Sequence, residues 1–159
     1  MNNNEIQLIA QQLKTSFEGE PWFGRNMMDI LSQVNPEKAN DRPSAYSHSL
    51  MQLLYHVINW RKFTISRLQK DRTVDVAFFE ENAWLSFETA SVYDWTEGLD
   101  LLRSTQRELL QLLGNATDEI LEEKVGDRQY NFLELLFGIV QHDIYHNGQF
   151  AYLIKLLKG

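Results

Sequence analysis

The sequence predicts an all-α fold, a four-helix bundle, and three observations carry that prediction. Apolar residues recur at helical spacing through several long segments. Proline and glycine are scarce, three and eight, and they sit between those segments. No stretch alternates with the period of two that a half-buried strand requires. The 159 residues are one domain's worth, so residues 1–159 are read as a single domain.

Taken in order, Ile6, Ile9, Leu13 and Phe17 mark the buried face of a first helix, and Gly19-Glu20-Pro21 ends it. Met27, Met28, Ile30, Leu31 and Val34 predict a short second helix, broken by Asn35-Pro36 and Arg42-Pro43-Ser44. A long helix starts near Ser47 or Ser49, both good N-caps, and runs to Gln69. Leu50, Leu53, Leu54, Val57, Ile65 and Leu68 form its inward face. Residues 71–90 have a mixed pattern rich in aromatics (Phe78, Phe79, Trp84, Phe87) and read as an ordered crossover with one helical turn. A structureless loop of that length is unusual in a compact domain.

The helical period returns from Tyr93. Leu99, Leu102, Leu109, Leu110 and Leu113 share a face, and Gly114-Asn115 is a fitting stop. Thr117 to Ile120 opens a short turn and Gly126-Asp127 makes another. The last helix spans residues 131–158 and is apolar on more than one face, through Phe132, Leu133, Leu135, Leu136, Phe137, Ile139, Val140 and Ile144. Such a helix is expected at the centre of a bundle or in a subunit interface. Gly148 lies inside it. A helix-interior glycine costs up to about 1 kcal/mol relative to alanine, so a close approach of another element is expected there.

Composition excludes several classes of function. The 15 basic and 22 acidic residues give a formal charge of −7. That balance argues against nucleic acid, whose binding rests on neutralising phosphates with Lys and Arg. Met1-Asn2-Asn3-Asn4-Glu5 has neither the basic nor the apolar region of a signal peptide. The greasiest stretch, residues 132–140, is interrupted by Glu134 and Gly138 and falls short of the roughly 18 apolar residues of a membrane span. A cytoplasmic protein is the default expectation. The absence of cysteine rules out disulfides, thiolate metal sites and a cysteine nucleophile. Any metal site must therefore be built from histidine and carboxylate.

There are four histidines. His142 and His146 are four apart on the last helix. Four residues turn a helix by about 400°, so the two rings project within about 40° of each other. One helix can thus offer two ligands to one metal, although the same spacing fits a solvated surface pair. His56 lies between Leu53 and Val57 on the inward face of the other long helix, where a histidine is either satisfied within the core or aimed at a site. Bundles assemble metal centres from inward side chains on facing helices. His56, His142 and His146 would give three nitrogen ligands with an open fourth position, the layout of a catalytic zinc site. Imidazole also suits nickel. His48, at the start of its helix and about 80° from His56 in direction, reads as a capping or surface residue, with an indirect contact to the site left open. Gln52, Asn59, Trp60, Tyr145 and Gln149 lie three or four residues from a histidine. The amides Gln52, Asn59 and Gln149 are candidates to hold the other ring nitrogens, or else plain amides. Trp60 reads as core before it reads as a platform for substrate. Asp143 and Asp94 carry no spacing argument for a general base.

The run Leu54-Tyr55-His56-Val57-Ile58-Asn59-Trp60-Arg61 resembles the second-helix signature of the DinB-like superfamily, Leu-x-His-(apolar)-x-x-Trp. Gln141-His142-Asp143-Ile144-Tyr145-His146-Asn147-Gly148-Gln149 resembles its last-helix signature, His-x-x-x-His-x-Gly-Gln. Gly19-Glu20-Pro21-Trp22 matches too, and the order and separation agree over nearly the whole chain. The resemblance implies an up-up-down-down four-helix bundle in which three histidines hold one divalent metal, zinc or nickel. By the same resemblance His56, His142 and His146 are the ligands, and homodimers are common. Many such proteins resemble transferases that use low-molecular-weight thiols such as bacillithiol or mycothiol; one branch isomerises maleylpyruvate with a thiol cofactor, and hydrolases are also suggested. The expected function is thiol S-transfer to a small electrophile, the alternatives being hydrolysis of a small molecule or a non-catalytic dimer that binds a metal or small ligand. Since the chain lacks cysteine, a reacting thiol must arrive as a co-substrate.

Overall fold

The computed structural model of the chain describes residues 4–71, 73–126 and 128–158. Met1, Asn2 and Asn3 of the N-terminal reading and Asp127 of the expected Gly126-Asp127 turn lie outside them. Among the described residues the structure is helical, with one isolated antiparallel bridge between Lys124 and Asn131. None of these helices is long and apolar enough to cross a membrane.

Helix α1 spans Asn4–Glu18 and buries Ile6, Ile9, Leu13 and Phe17, the expected stripe. Its first amides would otherwise lack partners. Asp118, far away in sequence, accepts from Glu5 N and Ile6 N at 3.3 and 3.0 Å. Helix α2 is one short segment, Met27–Leu31, capped by Asn26. Helix α3, Leu50–Leu68, opens on a reciprocal cap. Ser49 Oγ accepts from Gln52 N, and Gln52 Oε1 accepts from Ser49 N. The crossover contains two helical turns where one was expected, α4 (Val76–Glu81) and α5 (Phe87–Ala90), each with its own N-cap at Asp75 and Ser86. Helix α6 is Trp95–Gly114, capped by Asp94, and α7 is Phe132–Lys158.

The four long helices α1, α3, α6 and α7 pack on one another, and the contacts fix their directions. Gly98 meets Leu54, and Arg61 bonds Gln106, so numbering advances together along α3 and α6: they are parallel. Along α3 and α7 it advances oppositely, with His56 near His146 and Arg61 on Asp143. Helix α1 runs against α6, since Gln106 donates to Leu13 O while Ile6 N meets Asp118 beyond the end of α6. With α1 as up, the order is up-down-down-up, which corrects the expected up-up-down-down. The reason is the crossover: residues 69–94 carry the chain back along α3, so α6 starts beside the start of α3.

The core divides into two apolar clusters. One contains Phe17, Leu54, Ile58, Leu102 and Phe150; the other contains Ile9, Leu13, Ile65, Leu109 and Val140. Between them lies a buried polar layer of Arg61, Gln106 and Asp143. Within one chain α7 is not enclosed on all sides, so of the two expectations, bundle centre or subunit interface, the bundle centre does not hold. Phe137, Tyr145, Tyr152 and Leu156 are exposed along one side of it. The close approach expected at Gly148 is absent, since a Cβ there meets nothing within 4 Å. Close packing instead falls at Gly19, whose Cβ would stand 2.9 Å from Thr15 Cα, and at Gly98, whose Cβ would stand 2.8 Å from the buried Leu54 Cδ2. Replacing Gly98 with Val should therefore lower stability in urea by about 1–3 kcal/mol, the usual cost of overpacking a core.

Candidate metal centre

Helix α3 brings His56 to the interior at the level where α7 presents His142 and His146. His142 Nε2 lies 3.1 Å from His56 Nε2. One ring nitrogen from each of the three histidines falls within 4.8 Å of the others. Two nitrogens on a tetrahedral zinc, each about 2.0–2.1 Å from the ion, stand about 3.3 Å apart, so the spacing of the first pair already suits a shared ion.

What happens at the opposite side of each ring decides which nitrogen is free. His56 Nδ1 is 2.7 Å from the Ala83 carbonyl, which can only accept, so Nδ1 carries the proton. His146 Nδ1 is 2.6 Å from Gln149 Oε1 and donates in the same way. His142 Nδ1 faces Asp143 Oδ1 at 3.8 Å, and both atoms lack any other partner among the described residues. At that distance the two are not hydrogen-bonded. His56 and His146 therefore keep Nε2 free, and His142 Nε2 meets His56 Nε2 directly. A carbonyl and an amide on the far nitrogens of His56 and His146 are the outer support that metal-bound histidines ordinarily have.

Electrostatics favour the same protonation state. Burial pushes His56 down to about 4, outweighing the Ala83 carbonyl, with His146 and His142 adding to the shift. His146 is lowered to about 4 as well, mainly by burial and then by His142. Both rings are neutral at pH 7, the form that ligates. Burial alone would raise the Asp143 carboxyl, but Arg61 and then His142 outweigh it and hold it below its usual range. Arg61 and Asp143 are fully buried and meet at 2.6 Å. The guanidinium also bonds Gln106 Oε1 at 2.8 Å and stands over the Phe17 ring.

The crossover closes the site from outside. Trp84 stacks on His56 with ring centroids 3.8 Å apart, and His48 stacks on the other face of Trp84 at the same distance. His48 is thus an exposed residue whose contact with the site runs through Trp84. Gln52 and Asn59 do not reach the imidazoles. Gln52 donates to Leu85 O and Asn59 to Phe79 O, so both fasten the crossover that presents Ala83 and Trp84. Gln149 does hold a histidine. Tyr145 is exposed, with its ring edge near His146. Trp60 is half-buried and lines a cavity of about 360 Å³ whose wall also includes His142.

Arg61, Gln106, Asp143 and Trp84 were not singled out by the sequence reading. Arg61 had a signal: a charge three residues after Ile58 and four before Ile65 sits on an apolar face. Asp143 had only its adjacency to His142, and Trp84 had none.

Two outcomes follow from this geometry. Changing Asp143 to Ala leaves Arg61 buried without its partner and should cost about 3–5 kcal/mol in chemical denaturation. For the metal-free protein, His56 and His146 titrate near 4 when folded and near 6.5 when unfolded. The unfolded chain binds protons first, so stability should hold above about 6.5 and fall as pH drops towards 4. Urea midpoints that stay flat across that window would contradict the buried neutral rings.

The family model described as the DinB superfamily matches residues 22–150, a span that includes all three histidines. No curated protein and no solved structure matches the chain. With well over half its length covered by that match, the chain belongs to the DinB superfamily.

Proposed function

We propose that the protein is a divalent-metal-dependent enzyme whose ligands are His56, His142 and His146, and that it transfers a low-molecular-weight thiol of the bacillithiol kind to a small electrophile. The supporting observation is the clustering of one ring nitrogen from each histidine within 4.8 Å, with the Nδ1 of His56 and of His146 already engaged. Three imidazoles and no carboxylate or thiolate in that set suit zinc or nickel over magnesium or calcium. When bound with an open position, such an ion lowers the pKa of a thiol or water beside it.

The chain's own residues do the rest. Asp143, held by Arg61, places a carboxylate 3.8 Å from His142 Nδ1. Trp84 covers the face of His56 and limits water there. The cavity beside His142 offers room for the electrophile. The thiol must come from solution, because the chain has no cysteine. A cytoplasmic setting belongs to this reading, since small thiols stay reduced there. So does a homodimer, supported by the exposed stripe Phe137, Tyr145, Tyr152 and Leu156 on α7.

Purified protein should carry close to one divalent ion per chain by elemental analysis, and His142→Ala and His146→Ala should lose it. Full metal retention by both variants would sink the site. Turnover of 1-chloro-2,4-dinitrobenzene should require added thiol. Ester hydrolysis without thiol would instead identify a hydrolase, and metal binding with no turnover of either probe a binding protein.

A further inference from the structure

Helix α7 carries a glycine, Gly138, in its interior, where glycine weakens a helix. Packing does not demand it: a Cβ at Gly138 meets nothing within 4 Å. What it faces is the cavity of about 360 Å³ between α3 and α7, walled by Trp60, Phe63, Leu135 and Ile139, with His142 at its edge. That volume is within the range of small-molecule sites, about 300–1,000 Å³. Its wall combines apolar and aromatic side chains with polar groups of Thr64, Tyr130, Gln141 and His142, and Glu134 is its carboxylate among the described residues.

We propose that this cavity binds the apolar, ring-bearing part of the substrate and that Gly138 sets its size. The proposal rests on the metal reading above only through His142, which belongs to both sites. Trp60 and Phe63 offer aromatic surface for a flat ring. Any side chain at position 138 would project into space that the ligand needs. Glu134 can accept from a hydroxyl or ammonium group. The glycine is therefore kept against helix stability for the sake of an open cavity.

The test uses the metal-loaded protein with 2-naphthol as a neutral probe, by titration calorimetry, across the series Gly138→Ala, Gly138→Val and Gly138→Leu. Affinity should fall progressively and reach a loss of tenfold or more at Leu. Gly138→Ala should meanwhile raise the unfolding midpoint, which no damaged fold would do. Metal per chain should not change. Equal naphthol binding by wild type and Gly138→Leu would overturn the proposal, as would metal-loaded wild type that does not bind naphthol. Binding that follows the Gly138 series in a protein that carries no metal would uphold the cavity while removing the metal reading.

Discussion

The ion pair of Arg61 and Asp143 is the constraint around which the long helices are arranged. Neither group has access to water, so each requires the other, and separating them leaves a buried charge. The pair crosses from α3 to α7, and Gln106 extends it to α6 and on to the Leu13 carbonyl of α1. Four helices are thereby tied at one height. Sliding any of them by one turn, about 5.4 Å, would strand a charge or an amide between two apolar clusters. The apolar clusters above and below supply the burial energy, but greasy contacts tolerate slippage and this layer does not. Asp143 is also the neighbour of His142, so the layer that sets helix register borders the candidate metal centre.

A second dependence follows from the parallel course of α3 and α6. Parallel neighbours cannot be joined by a tight turn, so the chain must travel the length of the molecule between them. The fold uses that return to cover the histidines. Ala83 and Trp84 lie on it, and Gln52 and Asn59 hold it down through backbone carbonyls. Phe79 anchors it by packing edge-on against Phe63. The crossover thus connects α3 to α6 and also forms part of the site.

Helical periodicity made the long elements and their inward faces legible, because those faces are single stripes of Leu and Ile. Of the two caps offered for the long helix, Ser47 and Ser49, the structure uses Ser49, for the same local reasons. The three histidines could be read because two share a helix face and the third lies on an apolar one. Helix direction could not be read this way: whether α6 runs with or against α3 depends on where the crossover delivers the chain, and no local pattern encodes that. The roles of Gln52 and Asn59 were misjudged for a related reason. Helical spacing from His56 says which residues share its side of α3, but their partners came from a crossover whose path was unknown. Gly148 and Gly98 show the same limit, since an interior glycine signals that something is special without saying whether a neighbour or an empty space is the cause.

The three imidazoles are not held alike. His56 Nδ1 is fixed by a backbone carbonyl and His146 Nδ1 by a side-chain amide, while His142 Nδ1 stands 3.8 Å from the Asp143 carboxylate, beyond hydrogen-bond reach. A set built this way is lopsided from the outset. Two rings are pinned, one on each facing helix, and the ring whose far nitrogen has no fixed partner, His142, is its adaptable edge.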